Sequence, residues 1–173
     1  MKGSTRGVLV AATVLGTVIA GALPATADSK PVVTVERGTT FDAVVGAGDA
    51  CAFVTNIHGE ADIRTVTTAR KTTTTYTHAS AVVTNPANHR SVRLNANVTF
   101  VDRPLAGGDT ASSLKGNAIL WGAHVGFSPD AGPAFLYIRG KASWTGIDDG
   151  SDDGPAVFHT IKGQVTNVCD LID

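Results

Sequence analysis

Residues 91–100 alternate strictly. Val92, Leu94, Ala96, Val98 and Phe100 fall on one side of an extended backbone, and Arg93, Asn95, Asn97 and Thr99 on the other. Successive side chains of a strand point to opposite faces, so this segment reads as a strand with one buried and one wet face. The spacing recurs along residues 135–147. There Leu136, Ile138, Ala142 and Trp144 share a face with Gly140, and Tyr137, Arg139, Lys141, Ser143 and Thr145 share the other. Residues 156–169 put Val157, Ile161, Val165 and Cys169 on one side, and by the same parity His159 points inward with them. Phe53, Ile57, Ala61 and Ile63 form a further row, with Gly59 marking a bend or bulge. Beyond the N-terminal leader no stretch carries an apolar stripe at helical spacing. The chain is therefore expected to be all-β.

Shorter β-rich segments fill the gaps at residues 31–36, 39–45, 72–83 and 117–121. Turn chemistry separates them. Asn85-Pro86-Ala87-Asn88, the Pro/Gly-rich residues 128–133 and the acidic residues 148–155 each suit a tight connection. Residues 102–115, rich in Gly and Ser, read as the longest loop. The pattern predicts an antiparallel meander of eight or nine strands. A barrel-like closure would remove the exposed edges, with a β-sandwich as the alternative.

The first 27 residues have the make-up of a secretion signal. Lys2 and Arg6 precede an uncharged run over residues 7–22, Pro24 breaks it, and Ala25-Thr26-Ala27 supplies the small-x-small cleavage pattern. Cleavage after Ala27 leaves 146 of the 173 residues, enough for a single secreted β domain over residues 28–173. That part holds 12 basic and 15 acidic residues, a net charge of −3. Nucleic-acid binding needs a basic face, so it is not expected, and nor is stable membrane insertion once the leader is gone. Cys51 and Cys169 are the only cysteines, and in an exported chain they predict one disulfide. The chain is expected to be secreted, either diffusing freely or kept in the cell envelope.

Three short segments look familiar together. Ala50-Cys51-Ala52-Phe53 precedes a strand, Thr84-Asn85-Pro86-Ala87-Asn88 sits at a hairpin, and Asn167-Val168-Cys169-Asp170-Leu171 lies at the end. They resemble a loose group of small exported proteins of high-GC Gram-positive bacteria. The resemblance implies a β architecture with a terminal disulfide and no catalytic activity. The Thr-rich strand and the acidic loop around Gly150 fall outside it.

Signatures of catalysis are missing: there is no Gly-x-Ser-x-Gly, His-Glu-x-x-His or phosphate-binding glycine loop. No cofactor is implied. The five histidines, His58, His78, His89, His124 and His159, show no metal-ligand spacing. Asp148, Asp149, Asp152 and Asp153 offer oxygens to calcium, but the twelfth position of an EF-hand count from Asp149 is Thr160, so a solvated hairpin tip is the plainer reading. The run of threonines at 72–75 lacks the lattice repeat of a surface-binding face. Two function classes remain. One is a binding module for a small apolar ligand or an extracellular partner, with Tyr76, Phe100, Trp121, Tyr137 and Trp144 as the aromatics to inspect. The other is a small barrel enzyme with His78 or His159 as acid or base beside Tyr76, Trp121 or Trp144. A pocketless envelope protein is a third option, and an enclosed cavity separates it from the first two.

Overall fold

The computed structural model describes residues 30–106, 108–122, 125–126, 134–146 and 156–173. The leader, His124 and the four aspartates of the acidic loop lie outside the described residues. Among the described residues nine strands form one sheet: β1 (Val32–Val45), β2 (Thr55–Thr68), β3 (Lys71–Asn85), β4 (Arg90–Asn95), β5 (Val98–Pro104), β6 (Thr110–Gly122), β7 (Val125–Gly126), β8 (Ala134–Gly146) and β9 (Ala156–Asn167). A short helix, α1 (Cys169–Ile172), follows. The strand order is β1-β2-β3-β5-β6-β8-β9-β7, with β4 also paired to β3. Every pair is antiparallel except β7 with β9. The expected meander is present. The sheet is not closed, because β1 and β7 end the order and do not pair with each other.

The alternating segment at 91–100 is two strands rather than one. Both β4 and β5 pair with the long strand β3, and Ala96 and Asn97 form the step between them. The step is held by backbone and side chain together: Ala96 N donates to Ala79 O at 2.9 Å, and Ala79 N to Asn97 Oδ1 at 2.8 Å. The loop expected at 102–115 is mostly strand. β5 runs on to Pro104, β6 starts at Thr110, and Leu105 N donates to Asp109 O across the turn at 2.7 Å. Alternation hid this pair because an inward position on each strand is polar. Asp102 and Ser112 face each other, and Ser112 Oγ donates to Asp102 Oδ1 at 2.7 Å.

The core has two main parts. One gathers Ile57, Ala81, Val83 and Leu94 from β2–β4 with Ile119, Trp121, Phe135 and Tyr137 from β6 and β8, closed by Val168 and Ile172. The other gathers Val98, Phe100, Leu114, Ala118, Leu120, Ile138, Ala142, Trp144 and Phe158. Neighbouring residues of β6 and of β8 thus serve different cores, and both faces of those strands are buried there. This overturns the expected wet face for Tyr137, which is buried and donates its hydroxyl to Asn95 O at 3.0 Å. Tyr76, Phe100, Trp144 and Phe158 pack in an edge-to-face series, with successive ring centroids 5.9, 6.3 and 5.7 Å apart.

The disulfide joins Cys51 to Cys169, with Cα atoms 5.6 Å apart. It ties α1 to the β1–β2 connection, and hydrogen bonds hold α1 against the β3–β4 turn. Asn85 Nδ2 and Asn88 Nδ2 both donate to Ile172 O, at 3.2 and 3.1 Å, and Arg90 donates to Asp173 O. The segments around Cys51, Asn85–Asn88 and Cys169, far apart in sequence, therefore meet at one end of the sheet.

Bulges disturb the alternation where sequence parity fails. Asp62 on β2 lies opposite Arg37 and Gly38 on one side, where the β1 register shifts, and beside the β3 shift at His78 and Ala79 on the other. One carboxylate joins both neighbours: Gly38 N donates to Asp62 Oδ1 at 2.8 Å, and His78 Nδ1 lies 3.0 Å from Oδ2. The Gly38 bond first, then the His78 bond, holds the Asp62 carboxyl below its ordinary value of 3.8. Stability from this carboxylate is therefore fully present above the ordinary value and disappears as pH falls through the lower folded one. Asp62→Asn is expected to be less stable than the parent protein at neutral pH, with the gap shrinking on acidification below about pH 4. Denaturant melts across that window check it, and a gap constant down to about pH 2 would contradict it.

Candidate functional site

A cavity of about 260 Å³ lies between β1–β3 and the place where β4–β5 and β6 diverge. Its lining is set by small residues on strands β2, β3 and β6 and at the step between β4 and β5. Ala61, Ala79, Ala81, Ala96 and Ala118 all border it, and each is buried or half-buried. Larger side chains at these positions would fill the space, as protein interiors ordinarily are filled. The surrounding wall is Ile57, Ile63, Val98, Ile119 and the rings of Phe41, Tyr76, Phe100 and Trp121. Phe41 reaches the wall because Gly59 has no side chain; a Cβ there would stand 2.0 Å from the Phe41 ring.

Polar groups are few and differ in character. Glu60 and Ser80 border the cavity but are engaged with each other and with Arg93. Glu60 Oε1 accepts from Ser80 Oγ at 3.0 Å and from Arg93 Nη2 at 2.8 Å. Thr39, Thr40 and Glu36 of β1 complete the lining. The Tyr76 hydroxyl is pushed up to about 12 by burial, with Asp102 and Glu36 adding negative charge nearby. It stays a neutral phenol at any physiological pH. Burial likewise raises the Asp102 carboxyl, partly offset by the Ser112 hydrogen bond.

Of the residues that sequence reasoning grouped around a pocket, the structure brings Tyr76 and Trp121 to the cavity. Trp144 is buried in the second core, between Phe100 and Phe158. His78 and His159 are not at the cavity. His78 is the left-handed residue of the β3 bulge, at φ 51°, and its side chain is 85% exposed beside Asp62. His159 is the extra residue of a β9 bulge, since Trp144 faces Phe158 while Ser143 faces Thr160. That bulge lets Phe158 and Ile161 share a core and turns His159 outward, where Nε2 lies 3.1 Å from Thr145 Oγ1. Parity counted through a bulge assigns every later residue to the wrong face. Among the described residues no cluster of His, Cys, Asp and Glu could hold a metal ion. The alanines and Glu36 were missed; their only signal was small or polar residues at strand positions expected to be apolar.

No protein-family model, no curated protein and no solved structure matches this chain.

Proposed function

We propose that this chain is a ligand-binding module that holds a small, largely apolar molecule in the alanine-lined cavity. The carrying observation is five alanines, four on strands β2, β3 and β6 and Ala96 at the step between β4 and β5, which leave open a space bounded by aliphatic and aromatic side chains. Specific small-molecule pockets are concave, mostly apolar and furnished with a few polar groups. This one lies at the small end of their size range, so the fitting ligand is itself small. The cavity can sequester and orient; it offers no activated nucleophile and no histidine among its described lining residues. On this reading the sheet curls around the cavity as a barrel-like wall; β1 and β7 end the strand order without pairing to each other. A cysteine pair bonded across the fold suits an oxidising compartment, and among the described residues no helix is long and apolar enough to cross a membrane. The disulfide supports a place outside the cytoplasm, in the envelope or the medium.

Ala81→Val tests the reading directly. Ala81 is 1% exposed and borders the cavity, and valine suits a strand. Two methyl groups placed in empty space are expected to raise stability by about 1–2 kcal/mol. The same change should remove any small molecule that native mass spectrometry finds travelling with the parent chain, and weaken binding of 1-hexanol in a thermal-shift titration. A variant destabilised by about 2 kcal/mol would mean that the space is not there to fill.

A further inference from the structure

The ligand of this cavity can be specified further, resting on the reading above. Five carboxylates stand on the described strands: Glu36, Asp42, Glu60, Asp62 and Asp102. Four have partners. Asp42 lies 2.8 Å from His58 Nδ1, Glu60 is held by Ser80 and Arg93, Asp62 joins Gly38 and His78, and Asp102 takes the Ser112 hydroxyl. Glu36 has no hydrogen bond or ion pair among the described residues. Yet it is half-buried, it borders the cavity, and it is near enough to Tyr76 to raise the phenol. Its register explains why it points in: Glu36 faces Ile63, which lines the cavity, immediately before the β1 bulge. Among the described residues no lysine or arginine borders the cavity.

A half-buried carboxylate at the edge of an apolar space, without a partner among the described residues, is a ready acceptor for a charged donor carried by the occupant. The ring of Tyr76 near it, with Phe41 elsewhere in the same lining, adds aromatic surface that attracts cations. We infer that the ligand is a small apolar amine whose protonated nitrogen pairs with the Glu36 carboxylate while its hydrocarbon part fills the alanine-lined space. A primary ammonium keeps its charge at neutral pH, as a lysine side chain does. It donates three hydrogen bonds, which suits the Glu36 oxygens and the oxygens of Thr39 and Thr40 along the same strand.

Matched ligands of equal length separate this inference from the reading beneath it. Calorimetric titration of the full chain with hexylamine and with 1-hexanol should show the amine binding roughly ten- to a hundredfold more tightly, the range of a charge-assisted hydrogen bond. Glu36→Gln should bring the two ligands to within about twofold of each other while leaving 1-hexanol nearly unaffected. Asp102→Asn, which removes a carboxylate that does not border the cavity, should keep the amine preference. Equal binding of amine and alcohol to the parent chain overturns the amine inference and leaves the apolar cavity standing. A preference that survives Glu36→Gln, or that is lost in Asp102→Asn, overturns the role given to Glu36. If neither ligand binds, the binding function itself fails.

Discussion

Removing the Cys51–Cys169 bond is expected to cost about 4–5 kcal/mol, the loop-closure value for a crosslink spanning 118 residues. Small domains have only about 5–15 kcal/mol in hand, so this is a large share. The loss should also loosen α1 locally, for a structural reason. α1 is four residues long and has no stability of its own. It stays in place through Ile172, which is fully buried, through the Asn85 and Asn88 bonds to the Ile172 carbonyl, and through the disulfide at its first residue. Once the bond is gone, the remaining contacts must hold a free chain end. Denaturant melts of the oxidised protein, of the reduced protein and of the Cys51→Ala/Cys169→Ala variant measure the cost, with amide exchange at residues 168–173 reporting release of the end. A loss under about 1 kcal/mol would show that hydrogen bonds and packing hold this terminus without the crosslink.

The disulfide and the all-β character were legible because each depends on residue identity alone. Two cysteines have only one way to pair within the chain, and alternation over 91–100 survives even though the segment breaks into β4 and β5, since Leu94, Val98 and Phe100 all end in a core. Assigning faces failed wherever the backbone spends an extra residue. Counting in twos puts His159 inside, and His78 is a pocket candidate with it, yet each sits at a register shift that turns it outward. The cavity was illegible for a different reason. Alanine on a strand reads as an ordinary small core residue, and an unfilled space is a property of what several strands jointly lack. Glu36 shares this difficulty: nothing local distinguishes a glutamate facing solvent from one facing a hollow, until Ile63 is known to be its neighbour across the sheet.

Gly140→Ala is expected to be as damaging as loss of the disulfide, although it adds a single methyl group. Gly116, Gly140 and Gly163 stand directly opposite one another on β6, β8 and β9. Their φ angles are +127°, +150° and +130°, in the region that side chains of L-residues rarely adopt. Each is crowded by the neighbouring strand's backbone. A Cβ on Gly140 would stand 2.1 Å from Lys162 O, and one on Gly163 would stand 2.2 Å from Arg139 O. Backbone of a paired strand cannot move aside without breaking its ladder, so both the strained dihedral and the clash must be borne. Together these sum to roughly 3–5 kcal/mol. The row sits where β6 leaves β5, at the last pair Val98 with Gly116, and above it the faces of β6 and β8 divide between the two cores. Straightening this crease would pull Ala118 and Ile119 away from the cavity wall, so ligand binding should weaken along with stability. Gly146→Ala provides the control on the same strand, because nothing lies within 4 Å of its added Cβ; that change should be neutral to within about 0.5 kcal/mol. Chemical denaturation of both variants decides the matter: a Gly140→Ala cost below about 1 kcal/mol would mean that the sheet does not need its glycine crease.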